Sequence, residues 1–136
     1  MKKLIVAVTM LGATAVFAAD KFELKGDVAK GIEVFKTYCV ACHGDKGDGT
    51  GPAGAALNPK PADFTDPVRA AKMTDELVYK TITEGGVPYG KSPLMVSWKG
   101  TLNDQQIRDV ASFIRTLAKK GAAAPAAKTP PPQKKK

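Results

Sequence analysis

The spacing of apolar residues along the chain predicts three main helices and no strand. The first predicted helix covers residues 26–38, and its apolar face repeats at intervals of four and three residues: Val28, Ile32 and Phe35. Gly31 lies inside this helix, where a glycine costs about 1 kcal/mol relative to alanine. We therefore expect Gly31 to allow a second helix to approach the backbone closely.

The second predicted helix covers residues 75–84 and begins after Thr74, whose hydroxyl is a favoured cap. Two long segments rich in glycine and proline, residues 44–67 and 87–100, lie on either side of it without apolar periodicity. Loops of this length are unusual in a compact domain unless they enclose a ligand. Two apolar side chains of the first loop are expected to face the interior: Leu57 and Phe64.

The third predicted helix begins at Asn103, with Gln106 as its partner in a variant capping box. Gly121 is expected to end it. Its apolar face consists of Ile107, Val110, Ala111, Ile114 and Leu117, with Phe113 beside them. Together these patterns predict an all-α domain with long loops wrapped around a prosthetic group.

Both ends of the chain are expected to lie outside this domain. Residues 1–18 combine two lysines with an apolar stretch and small residues, which is typical of a secretory leader cleaved after Ala18. Residues 119–136 are rich in lysine, proline and alanine, and they lack apolar side chains that could form a core. We therefore place the folded domain at residues 19–118 and predict a disordered tail after it.

The positive charge of the chain is concentrated at these two ends. The net charge is +8, of which the predicted leader carries +2 and the predicted tail carries +6. The domain between them is formally neutral, so the net charge does not indicate a nucleic-acid-binding face. The tail is instead a candidate for docking to an anionic partner or a membrane surface.

The candidate chemistry lies in the sequence CVACH, which has the pattern of covalent haem attachment: Cys39, Cys42 and His43. On a helical turn these three positions share one face. Two thioether bonds and one iron–imidazole bond can then form on the same haem. A thioredoxin-like redox site would normally follow a strand. A structural zinc site needs four ligands, whereas the chain has two cysteines and one histidine.

The second axial ligand of the iron must come from a residue other than histidine. Removal of the leader leaves two methionines, Met73 and Met95. Met73 directly precedes the cap of the second helix, where it could simply fill the core. Met95 lies in an irregular loop that can direct a side chain towards iron, so we favour Met95. Ligation by Met73, by a lysine, or an open position are the alternatives.

Three stretches resemble the mono-haem class I cytochrome c family: residues 31–44, 50–57 and 94–118. In that family the first helix packs across the last, and a proline carbonyl holds the imidazole. The resemblance therefore implies a bond from His43 Nδ1–H to Pro52 O. It also implies the cytochrome c fold, with three main helices and long loops around one covalent haem c.

The resemblance further implies a monomeric periplasmic protein that exchanges single electrons with redox donors and acceptors. It places Gly31 and Phe35 against Phe113. Leu57 and Trp98 are expected to contact the haem, and Trp98 either donates to a propionate or packs against the ring. The alternative function is a haem enzyme, or a gas or redox sensor, in which the bond to Met95 is labile or missing.

Overall fold

The computed structural model describes residues 22–122, and all regular structure in this range is helical. The helices are α1 (Val28–Tyr38), α2 (Val40–His43), α3 (Pro67–Lys72), α4 (Asp75–Glu84) and α5 (Asp104–Ala122), with a 3₁₀ turn at Val87–Tyr89. Within the described range, no helix is long and apolar enough to cross a membrane. The predicted leader and all but the first four residues of the predicted tail lie outside the described residues.

The first and last helices cross where α1 carries Gly31. A β-carbon at this position would lie 2.1 Å from the carbonyl oxygen of Asp109, so only the bare backbone fits. Beside this contact Phe35 meets Phe113 edge to face, with the ring centroids 5.2 Å apart. The predicted close approach of the two helices is confirmed, and the CVACH segment follows directly at the end of α1.

The N-terminus of α1 is set by Asp27 rather than by the apolar period. The Asp27 carboxylate accepts hydrogen bonds from Ala29 N at 2.8 Å and Lys30 N at 3.2 Å. The Asp27 N–H donates to the buried carboxylate of Asp109 at 2.7 Å. The helix therefore begins two residues later than predicted. The expected burial of Val28 is wrong because this residue lies in the first turn, with 39% of its surface exposed.

The predicted bounds of α4 are confirmed, and α5 begins at Asp104, one residue later than predicted, with Asn103 as the capping residue before it. Gln106 N donates to Asn103 Oδ1 at 2.9 Å, and Asn103 N donates to Gln106 Oε1 at 3.0 Å, which completes the capping box. The expected stop at Gly121 is wrong, since α5 continues to Ala122. One glycine costs a helix only about 1 kcal/mol and does not by itself end it.

A short helix, α3, occupies a stretch for which no helix is predicted. The Asp66 side chain caps it and Pro67 stands at its first position, a combination favoured at helix starts. Arg115 of α5 holds its far end, because the guanidinium donates to Ala70 O at 3.2 Å and to the Asp75 carboxylate at 2.7 Å. One side chain of α5 therefore fixes both the end of α3 and the start of α4.

The hydrophobic core lies where α1 and α4 each pack against α5. The predicted inward face of α5 is confirmed, and Phe64 of the first loop is buried with it, as are Val78 and Ile82 of α4. The core consists of Leu24, Val34, Phe35, Phe64, Val78, Ile82, Leu102, Ile107, Val110, Ala111, Phe113, Ile114 and Leu117.

Candidate functional site

A cavity of about 410 Å³ opens among α2, α3, α4 and the loop that precedes α5. Its walls are mainly apolar and include core residues such as Ile82, Leu102 and Ile114. Six of the seven predicted site residues line it: Cys39, Cys42, His43, Leu57, Met95 and Trp98. Residues that are up to 59 positions apart in the sequence therefore face one apolar space.

The one-turn helix α2 brings the two thiols and the imidazole to this cavity. The carbonyl of Cys39 accepts hydrogen bonds from Cys42 N at 3.2 Å and His43 N at 2.9 Å. Both cysteines are free thiols. The turn thus presents two unbonded sulfurs and one imidazole on one face, as their spacing predicts.

The environment of Cys39 differs from that of a reactive redox thiol. Burial, and secondly the charge of Cys42, raises the pKa of the Cys39 thiol to about 12. Dithiol oxidoreductases depend on the opposite shift, because the thiolate is the nucleophile. The structure therefore disfavours the thioredoxin-like interpretation.

The imidazole of His43 is held against Phe64. The two rings are stacked, with centroids 4.6 Å apart and an interplanar angle of 21°. Nδ1 lies 3.2 Å from the carbonyl oxygen of Ala62. Burial lowers the pKa of His43, partly offset by this hydrogen bond, so the neutral ring is favoured. Neutral imidazole is the form that binds a metal.

The expected contact between His43 and Pro52 is wrong. Nδ1 faces Ala62 O, whereas Pro52 is exposed and lies outside the cavity lining. The resemblance to the family pointed to the proline of the sequence TGP, but the carbonyl at hydrogen-bond distance from the ring belongs to Ala62, directly after Pro61. No local sequence signal identifies Ala62, because any residue can supply a backbone carbonyl.

The segment that contains Pro52 supports the backbone of α2 instead. Ala53 N donates to Ala41 O at 2.9 Å. A β-carbon at Gly51 would lie 2.5 Å from Ala41 O, and one at Gly54 would lie 2.4 Å from Cys42 O. The two glycines are therefore required for the loop to pack directly on the turn that carries the cysteines.

Met95 reaches the cavity because its loop folds over a pair of glycines at the end of α4. Gly86 N donates to Met95 O at 2.7 Å. A β-carbon at Gly86 would lie 3.1 Å from the Met95 β-carbon, and Gly85 has a φ of +87°, which favours glycine. Met73 lines the same cavity, so its position does not by itself exclude it as a ligand.

The remaining predicted contacts come from Leu57 and Trp98. Both line the cavity. Trp98 packs edge to face on Tyr38 with a centroid distance of 5.5 Å, and its backbone N–H donates to Ile82 O at 3.0 Å. The indole is thereby fixed between α4 and the end of α1, at the wall of the cavity.

The donor set fits a covalently attached haem. The cavity offers apolar walls for a flat hydrophobic macrocycle, two thiols on one turn, a neutral imidazole and a thioether. Among the described residues, no group of three or more His, Cys, Asp or Glu side chains is arranged to hold a bare metal ion. The site is therefore suited to a metal that arrives within a macrocycle.

Comparison with known proteins decides the family. A family model for cytochrome c matches residues 28–118, about two thirds of the chain. The chain belongs to the cytochrome c family. The all-α architecture is accordingly the cytochrome c fold, and membership implies covalently bound haem c and electron transfer.

Individual cytochromes match over different shares of their length. Cytochrome c6 of Leptolyngbya boryana is 33% identical over 95 residues, which is 70% of this chain and 98% of that protein. The cbb3-type cytochrome c oxidase subunit FixP of Bradyrhizobium diazoefficiens is 31% identical over 91 residues. That match covers 67% of this chain but only 28% of FixP, so the chain spans about a quarter of that relative.

A solved structure agrees with the family assignment. The KustC0563 c-type cytochrome is 26% identical and has a TM-score of 0.50, and the match covers 64% of this chain and 95% of that one. The family match at residues 28–118 spans α1 to α4 and most of α5, the elements that surround the cavity.

Proposed function

We propose that the protein is a mono-haem electron carrier in which His43 and Met95 are the axial ligands of the iron. Cys39 and Cys42 form the two thioether bonds. The observation that supports this proposal is that the CVACH turn and Met95, which are far apart in the sequence, line one apolar cavity. When bound, the haem supplies an iron that alternates between Fe(III) and Fe(II).

The protein's own residues hold the two ligands and keep water away. Phe64 and the Ala62 carbonyl orient the His43 ring, so that its other nitrogen is available to the metal. Gly85 and Gly86 position the Met95 loop. A neutral thioether favours the ferrous state, and apolar walls disfavour the additional charge of the ferric state.

If His43 and Met95 both bind the iron, no position would remain for a substrate, so this ligation would make the protein an electron carrier rather than an enzyme. We place the mature protein in the periplasm, exported by the leader at residues 1–18, with one haem in a monomer. Its partners are redox proteins that donate and accept electrons. The relatives named as cytochrome c6 and as an oxidase subunit support this class of partner.

Substitution of the two methionines tests the ligand assignment. Met95→Ala should abolish the sulfur-to-iron charge-transfer band of the oxidised protein and lower the reduction potential, because a soft neutral ligand is lost. It should also allow the reduced protein to bind carbon monoxide rapidly. The matched control is Met73→Leu, which changes the other methionine of the same cavity and should retain the band.

Two results would contradict the proposal. Loss of the band in Met73→Leu but not in Met95→Ala would exchange the roles of the two methionines. Rapid, tight binding of carbon monoxide by the unmodified reduced protein at neutral pH would indicate an open iron and support a haem enzyme or gas sensor.

A further inference from the structure

Every side chain of the cavity lining that carries a full charge at neutral pH is cationic. They are Lys60, Arg69 and Lys91, and no aspartate or glutamate is among the lining residues. The ion pairs found between described residues involve other cations: Lys25, Lys80, Arg108 and Arg115. The domain as a whole is formally neutral, so this concentration of one sign is a property of the cavity.

Of the three cations, Arg69 is the one that lies on a helix. It lies on α3 with Met73 one turn further on, and both side chains line the cavity. The next residue, Ala70, is buried, and its carbonyl accepts a hydrogen bond from Arg115 at 3.2 Å. The Asp66 side chain caps the other end of the helix. The Arg69 side chain is thus directed by a helix fixed at both ends.

We propose that Arg69 binds a haem propionate, and that Lys60 and Lys91 add positive potential at the same cavity. This inference rests on the proposed function, since the propionates are the anionic groups of the haem. A guanidinium fits a carboxylate with two parallel hydrogen bonds, whereas an ammonium acts as a point charge. Arg69 is therefore the residue that orients the propionate.

The proposed contact has a consequence for electron transfer. A cation near the haem disfavours the additional positive charge of Fe(III) and raises the reduction potential. Arg69 would therefore help to set the potential as well as orient the cofactor, although it is neither an iron ligand nor a thioether residue.

Arg69→Gln and Lys72→Gln form a matched pair that tests the proposal. Both residues are exposed and both substitutions remove one positive charge from α3, but only Arg69 lines the cavity. At a fixed electrode potential, Arg69→Gln should reduce the ferrous-to-ferric ratio roughly threefold, and Lys72→Gln clearly less, because charge effects weaken with distance and with solvent.

Infrared difference spectra between the reduced and oxidised proteins provide the second measurement. The carboxylate bands of the propionates should shift in Arg69→Gln and stay in place in Lys72→Gln. Equal effects of the two substitutions on the potential, or unchanged carboxylate bands in Arg69→Gln, would overturn the proposal. If Arg69→Gln changed only the rate of reaction with an anionic redox mediator, Arg69 would be assigned to partner docking, and the proposal would also be overturned.

If the Arg69→Gln protein does not acquire its haem, Arg69→Lys is the second variant. It retains the charge but not the forked geometry, so the bands should shift while the potential changes less. Bands identical to those of the unmodified protein would again overturn the proposal. Failure of the proposed function is recognised separately, by the absence of the sulfur-to-iron band in the unmodified protein.

Discussion

At the scale of single residues, Gly31 shows how a local cost is offset by a long-range contact. Glycine weakens a helix by about 1 kcal/mol relative to alanine, so α1 alone would gain from a substitution. The structure reverses this expectation, because a β-carbon would lie 2.1 Å from Asp109 O and 2.9 Å from the Phe113 β-carbon. The carbonyl of Asp109 belongs to the backbone of α5, so it cannot move away from an added β-carbon as a flexible side chain could.

We expect Gly31→Ala to destabilise the haem-loaded protein by about 1–3 kcal/mol, the usual cost of overpacking a well-packed contact. The measurement is urea unfolding, followed through the emission of Trp98, the only tryptophan of the chain. Gly100→Ala is the control, because a β-carbon there meets nothing within 4 Å and its φ is not in the left-handed region. Equal stabilities of the two variants would show that α1 and α5 do not require the bare backbone.

At the scale of elements, α4 and α5 are joined by a polar contact at the surface as well as by the core. The Tyr79 hydroxyl of α4 donates to the Asp104 carboxylate of α5, and Arg108 Nε donates to the same carboxylate at 2.7 Å. The hydrogen bond from Tyr79, and secondly that from Arg108, holds the pKa of Asp104 below its ordinary value. The Arg108 guanidinium also lies 5.0 Å from the Tyr79 ring centre.

Tyr79→Phe removes the main cause of this shift while keeping the ring. We expect the pKa of Asp104 to rise towards 3.8, measured by NMR titration of its carboxyl carbon. A lowered folded-state pKa stabilises the protein above the ordinary aspartate pKa and ceases to do so as the pH falls through the folded value. The cost of Tyr79→Phe, about 0.5 kcal/mol for an exposed contact, should therefore shrink below pH ~4.

Asp104→Asn supplies the control for this element contact. In that background the effect of Tyr79→Phe on unfolding should be independent of pH across the acidic range, since the carboxyl that titrates there is gone. If the effect of Tyr79→Phe in the unmodified background were also independent of pH, the coupling between Tyr79 and Asp104 would be refuted.

At the scale of the whole molecule, the apolar cavity is expected to be filled by the cofactor. Its walls include the core residues Ile82, Leu102 and Ile114, and loss of packing around a large apolar side chain costs about 1.5–3 kcal/mol each. The total stability of a domain is about 5–15 kcal/mol. The cofactor is therefore expected to act as the largest part of the core.

Cys39→Ser combined with Cys42→Ser removes both attachment points and tests this expectation. The doubly substituted chain should lose most of its helical circular dichroism and its cooperative unfolding transition. Met95→Ala, which leaves both thioethers intact, should retain the helices. A cooperative transition in the doubly substituted chain, within about 2 kcal/mol of the haem-loaded protein, would contradict the assigned role of the cavity.

The features that the sequence determined by itself depend on residues close together in the chain. The bounds of α4, the capping box of α5 and the inward face of α5 follow from one or two turns of local spacing. The CVACH turn is equally local, because positions i, i+3 and i+4 of a helix share a face. The start of α3 could also have been predicted from Asp66 and Pro67.

The tertiary structure alone decided which distant groups meet. The contact of Asp27 N with Asp109 joins residues 82 apart, and Ala62 O rather than Pro52 O faces His43. The cationic lining of the cavity is likewise invisible in a chain whose domain is formally neutral. These outcomes depend on how loops and helices pack, and backbone carbonyls and close approaches of this kind leave no period and no motif in the sequence.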